Sequence, residues 1–205
     1  MPTTREEKRA ALQERLIDAA EAQIAEKGLR GLKAREVTAE AGCAVGALYN
    51  AFDDLDMLIV HVNSRTLLRM GAALKAAAPG REATAAEKFR ALAVSYVAFA
   101  SENRRLWTAL FEHRLPDEDT EWPEWHLRNH AVLIELIVEP LARVRPDLPP
   151  QALVLRARTL FAAVHGVVHL ALGKSVVGVP RELLEAEVVG LVDAVVRGSE
   201  LAEEV

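Results

Sequence analysis

The chain has 205 residues, with 25 Lys and Arg against 30 Asp and Glu and a formal net charge of −5. Hydrophobic residues make up 51% and aromatic residues 5%; that balance, led by Ala, Leu and Val, favours helices packed on helices and argues against a β-sandwich. The acidic total also argues against a surface that is basic all over, so a nucleic-acid face has to be local.

Residues 1–35 carry eight cations (Arg5, Lys8, Arg9, Arg15, Lys27, Arg30, Lys33, Arg35) against six anions, a small positive excess. The single cysteine, Cys43, excludes an intrachain disulfide framework and fits a reducing cytoplasm. The opening MPTTREEKRAALQERL is charged and lacks an apolar core, so it does not read as a secretory signal.

Helical periodicity recurs along the chain, and sustained strand alternation is scarce. A first helix is predicted over 6–27, where Leu16, Ile17, Ala20 and Ile24 form one apolar stripe and Gly28 supplies the stop. Short helices follow at 34–41 and 45–52, separated by Gly42. Asp53-Asp54 open a helix reaching Lys75, acidic charge suiting a helix N-terminus. Ala-Ala-Ala-Pro-Gly at 76–80 breaks the pattern, which resumes at 84–102 and 104–114. An acidic, proline-bounded loop is predicted at 116–123, then helices at 124–143, 151–173 and 181–200. The last presents Leu184, Val188, Leu191, Val192 and Val195 on one face. The expected fold is all-α with about nine helices, a head at 1–53 and a larger helical domain at 54–205. The apolar stretch Leu160–Leu172 is interrupted by His165 and His169 and falls short of the roughly 20 residues of a membrane span, so it reads as a buried helix.

The segment LKAREVTAEAGCAVGALYNAF, residues 32–52, has the pattern of two short helices joined by a tight glycine turn, a helix-turn-helix. Val37, Ala41 and Leu48 fall where the two helices meet, and Phe52 closes the unit against the first helix. The second helix then exposes Val45, Gly46, Ala47, Tyr49 and Asn50 to a major groove.

A long first helix, a helix-turn-helix ending in Leu48-Tyr49-x-x-Phe52 and a following helix with an acidic opening resemble the TetR (tetracycline-repressor-like) family over about residues 10–60. Segment 92–115 resembles that family's central helix pair, and FAAVHGVVHLAL at 161–172 one of its C-terminal subgroups. The resemblance implies a ligand-responsive DNA-binding regulator, a homodimeric repressor released from a palindromic double-stranded operator by a small apolar effector. It places Tyr49 on a backbone phosphate, Lys33 and Arg35 on phosphates or a base edge, and Val45, Gly46, Ala47 and Asn50 in the groove. Asn50 is the side chain best suited to pair with adenine. The sequence departs from the pattern at Ala44, where serine or threonine often caps the recognition helix, and at Leu55, where lysine is common. Ala47 and Ala51 replace frequent phosphate contacts. These departures keep open an alternative, a helical sensor of the same fold with weak or lost DNA binding.

Phe99, Trp107, Phe111, Trp125 and Phe161 are the aromatic candidates for an apolar effector cavity, with His130 and His165 as its polar groups. His126/His130 and His165/His169 are i, i+4 pairs, a spacing that also suits a metal, but a pocket or core role is the simpler reading and no metal or cofactor is expected. Cys43 is read as a small apolar residue packed under the turn rather than as a redox switch. No phosphate-cradling glycine loop or nucleophile elbow is present, so an enzyme is not expected. The helices at 151–173 and 181–200 are apolar beyond what a surface helix needs, and by the resemblance they form the dimer interface.

Overall fold

The structure is a computed structural model describing residues 4–115 and 120–201; residues 1–3, 116–119 and 202–205 lie outside the described residues, and with them part of the predicted loop at 116–123. Among the described residues there are nine α-helices, one 3-10 turn and no strand. The helices are α1 (Thr4–Lys27), α2 (Ala34–Glu40), α3 (Val45–Ala51), α4 (Leu55–Ala77), α5 (Ala85–Glu102), α6 (Arg104–Glu112), α7 (Glu124–Val144), α8 (Pro150–Leu172) and α9 (Leu184–Leu201).

The described residues form two compact units, the first within 4–68, 103–115 and 120–127 and the second within 69–102 and 128–201. The first unit is built on the α1 stripe. Leu16, Ile17, Ala20 and Ile24 are buried together with Val37 and Ala41 of α2, Leu48 and Ala51 of α3, Phe52, Leu58 and Val62 of α4, and Leu106 and Ala109 of α6. One continuous cluster of that size is what lets two seven-residue helices persist, since neither is long enough to be stable alone.

Polar groups pin the same elements. Arg15 Nε donates to the Ala41 carbonyl at 3.1 Å and Gln13 Nε2 to the Ala51 carbonyl at 2.8 Å, each serving a C-terminal carbonyl that its own helix leaves unpaired. The Arg65 guanidinium of α4 reaches three carboxylates of α1: Glu14, Asp18 and Glu21. Asp54 Oδ1 accepts the Met57 N–H at 2.6 Å and so caps α4, as the acidic pair at 53–54 suggests.

In the second unit α5 packs against α8 and α9, and α8 against α9. Thr84 and Glu87 form a reciprocal cap at the start of α5: the carboxylate accepts the Thr84 N–H at 2.8 Å, and the Thr84 hydroxyl accepts the Glu87 N–H at 3.2 Å. Lys88 Nζ of α5 meets both carboxylate oxygens of Glu139 on α7, at 2.8 and 2.9 Å. Arg90 binds Asp193 of α9 in a two-pronged pair at 2.6 and 2.9 Å. Leu184, Val188 and Val192 of the predicted α9 stripe are buried, whereas Leu191 and Val195 are half-buried.

The expectation of a buried helix at Leu160–Leu172 holds for one face of α8 only. Leu153, Ala157, Leu160, Val164 and Val168 are buried, while Val154, Leu155 and Leu170 are exposed, Leu155 by 67%. By length and composition α8 is also long and apolar enough to cross a membrane.

Candidate nucleic-acid interface and ligand cavity

Gly42, at φ +67°, makes the turn between α2 and α3 in a backbone conformation that disfavours a side chain. The turn directs α3 so that Leu48 is fully buried, while Val45, Gly46, Tyr49 and Asn50 are exposed and Ala47 is half-buried. Cys43 is half-buried and packs against the cluster that includes Val37 and Leu48. Ala44 occupies the N-cap of α3 in an extended conformation and makes no side-chain cap.

Lys33 and Arg35 are exposed at the start of α2. Lys33 Nζ lies 3.0 Å from Glu36, and Lys27 Nζ lies 2.8 Å from the same carboxylate. Those two contacts, Lys27's first, hold the Glu36 carboxyl below its ordinary range. Lys33 is therefore partly offset locally, and Arg35 is the stronger phosphate candidate of the two.

Sequence reasoning passed over three cations. Arg5, Lys8 and Arg9, from the first two turns of α1, line one open cleft with Glu6, Leu12, Ala47, Asn50 and Ala51, three cations against one carboxylate. The spacings 5, 8 and 9 put all three on one helix face. The cleft sets these cations beside Asn50, the one carboxamide of α3.

The second unit holds a cavity of about 50 Å³ lined by Leu74, Phe89, Leu92, Ala93, Tyr96, Leu133, Ile137, Leu160, Phe161, Val164 and Val192. Tyr96 alone among these carries a polar side-chain atom, and its hydroxyl oxygen lies 2.9 Å from His165 Nδ1. Phe161 meets Tyr96 edge-on at 5.7 Å and stacks on His165 at 5.7 Å. Burial pushes the His165 imidazole down to about 4, with a smaller contribution from the charge of His169, so at neutral pH the ring is uncharged.

Of the residues singled out for the cavity, Phe161 lines it and His165 stands behind its tyrosine. Phe99 is buried on α5 and His130 half-buried on α7, where burial lowers its pKa; neither lines the cavity. Trp107, Phe111 and Trp125 belong to the first unit instead. Trp107 is 1% exposed and packs on Phe111 with ring centres 5.4 Å apart. Trp125 lies against His61 at 4.5 Å. The residue missed was Tyr96, whose signal was present: Phe89 and Tyr96 are i, i+7 on one face of α5.

The paired histidines do not gather further ligands. His126 is 2% exposed with Nδ1 2.6 Å from the Ser64 hydroxyl, and among the described residues no group of three or more His, Cys, Asp or Glu is placed to hold a metal ion.

Residues 16–62 match the family described as bacterial regulatory proteins, tetR family, and residues 89–195 match the tetracyclin repressor-like C-terminal domain. Among solved structures, a protein of unknown function from Rhodococcus sp. RHA1 is 28% identical, with a TM-score of 0.71 over 91% of this chain and 94% of its own. A TetR transcriptional regulator from the same organism is 20% identical, with a TM-score of 0.62 over 91% and 96%. RolR in complex with resorcinol is 21% identical, with a TM-score of 0.66 over 95% of both chains. No curated protein matches the chain. With a helix-turn-helix head, an all-helical C-terminal domain and family matches to both, the chain belongs to the TetR family of transcriptional regulators, a family of DNA-binding proteins and not of enzymes.

Proposed function

We propose that the chain is a ligand-responsive repressor that acts as a homodimer in the cytoplasm and leaves a palindromic operator when a small apolar effector binds. The observation that carries the reading is the shared cleft of α1 and α3, which sets Arg5, Lys8 and Arg9 beside Asn50 on an exposed helix-turn-helix. Tyr49 and Arg35 add phosphate contacts, Lys33 a weaker one, and Val45, Gly46 and Ala47 form a smooth surface able to approach thymine methyls. The reading head is 1–53 and the effector and dimerisation domain is 54–205, a functional division; by packing, α6 and the start of α4 join the head.

The effector site is the apolar cavity at Tyr96 and Phe161. The resorcinol-bound neighbour supports a small-molecule site in this fold. The exposed apolar face of α8, with Val154, Leu155 and Leu170, supports pairing with a second copy, which matches a two-fold operator. Release from DNA requires that the effector bind the DNA-free conformation more tightly, and DNA then weakens effector binding by the same factor.

The missing cap at Ala44 favours a second reading, a sensor whose head grips DNA weakly. A mobility-shift titration on the intergenic DNA beside the chain's own gene separates the two. The repressor reading expects a sequence-specific complex that Tyr49→Ala weakens. A wild-type protein that shifts no DNA specifically at low salt would leave only the sensor.

A further inference from the structure

We infer that Gln13 of α1 is a positioning residue for base reading: its hydrogen bond to the Ala51 carbonyl fixes Asn50 relative to the cations of α1. This rests on the reading of the α1–α3 cleft as the DNA face and goes further by naming what holds that face in register.

The recognition helix is poorly fixed by its own chain. Seven residues are too few for an isolated helix, and Ala44 gives the N-terminus no side-chain cap. Leu48, Ala51 and Phe52 are buried and hold α3 against the core of the head. Apolar burial is non-directional, so small sliding and rolling motions of α3 stay inexpensive. A hydrogen bond prefers one distance and angle, and it can set the register that packing leaves loose.

Gln13 supplies that bond. Its Nε2 donates at 2.8 Å to the carbonyl of Ala51, the last residue of α3 and the chain neighbour of Asn50. A carbonyl at a helix C-terminus has no intrahelical donor, so the amide meets an acceptor that α3 cannot serve. Gln13 is half-buried and does not itself line the cleft, whereas Arg5, Lys8, Arg9, Asn50 and Ala51 do. It stands four residues after Arg9 and eight after Arg5, along the same side of α1. One helix therefore carries both the cations of the cleft and the pin of the base-reading helix.

The two kinds of DNA contact differ in tolerance. A carboxamide on a base edge must be placed to within about 0.5 Å. Attraction between a cation and a phosphate falls only gradually with distance. Loosening α3 against α1 therefore costs base discrimination first and leaves general attraction to DNA in place.

The test is fluorescence anisotropy of purified full-length protein on two duplexes, the intergenic DNA beside the chain's own gene and a scrambled sequence of the same composition. Gln13→Met keeps the side-chain volume and removes the donor. It is expected to lower the ratio of specific to scrambled affinity by at least about 5-fold, with scrambled affinity held within about 2-fold, which also reports a folded head. In an Asn50→Ala background the same substitution should change the ratio by less than about 2-fold, because the group it positions is gone. Gln13→Lys restores a donor of similar reach and should recover most of the wild-type ratio. A wild-type ratio in Gln13→Met, an equal loss in the Asn50→Ala background, a parallel loss of scrambled binding, or no recovery with Gln13→Lys would overturn the inference and leave the DNA face standing. A wild-type protein that does not discriminate between the duplexes would overturn both.

Discussion

His113 Nε2 lies 2.9 Å from Asp56 Oδ1, which ties the residue closing α6 to the first turn of α4, immediately after the recognition helix. His113 is 4% exposed, and its other ring nitrogen, Nδ1, is buried with no hydrogen-bond partner among the described residues. Removing the carboxylate leaves both nitrogens without a partner. Asp56→Ala is expected to cost about 1–3 kcal/mol in urea unfolding, because a buried polar group loses its only compensation. The double variant Asp56→Ala/His113→Phe removes both polar partners and should recover most of that loss. A double variant no more stable than Asp56→Ala would show that the contact is not what holds the two helices.

Ala44 sets up a gain. It already holds the extended backbone of an N-cap, with φ −74° and ψ 151°, but offers no side-chain acceptor to the first amides of α3. Ala44→Ser supplies that acceptor without moving the backbone. The expected stabilisation is about 0.5–1 kcal/mol, read as an increase in urea midpoint at unchanged slope. No change in midpoint would mean that solvent already serves those amides as well as a hydroxyl does.

The helices were legible because their apolar periods and glycine stops act locally. Starts predicted at 34 and 45 fall at Ala34 and Val45, and the stops at Gly28 and Gly42 coincide with positive φ. Packing partners were not legible in the same way. The period of α6 shows an apolar face, but nothing in the sequence says that α6 packs on α1 and that Leu106 and Ala109 join the core of the head. Bulk misdirected the choice of cavity residues for a related reason. Trp107 and Trp125 are conspicuous in a chain with 5% aromatics, yet both lie in the first unit, while the cavity is lined mainly by ordinary core residues. Likewise the cations of α1 stand some 40 positions from Asn50, beyond any local pattern, and acidic neighbours such as Glu6 and Glu7 hide them in a charge count.

His165 makes stability depend on pH. Its imidazole titrates near 6.5 when unfolded and near 4 in the folded chain. Between those values the unfolded chain takes up a proton that the folded chain refuses, so stability is full above about pH 6.5 and falls as the pH drops toward 4. Burial lowers His130 and His61 in the same direction. Because the His165 ring is only partly buried, its share is about 1–2 kcal/mol rather than the full value of the shift. His165→Gln keeps a hydrogen-bonding partner for Tyr96 and has no such proton to gain. Urea midpoints at pH 7.5 and 4.5 should therefore fall further for the wild type than for the variant. Parallel losses in the two proteins would assign the acid sensitivity elsewhere.

Arg5, Lys8 and Arg9 differ from Asn50 in what each should contribute to the operator complex, although they share one cleft. A cation on a phosphate releases counterions and reads no base. Lys8→Gln and Arg9→Gln are each expected to reduce the slope of log affinity against log salt by about 1, and to weaken specific and non-specific DNA by similar factors. A carboxamide on an adenine does the reverse: Asn50→Ala should leave the salt slope alone and relax discrimination at one base pair by about 1–3 kcal/mol. Fluorescence anisotropy at several salt concentrations, on the operator and on a scrambled duplex, separates these effects. Unchanged slopes in both cation variants would place the DNA backbone away from α1, and the recognition helix would then have to hold the operator with Tyr49, Arg35 and Asn50 as its main polar contacts.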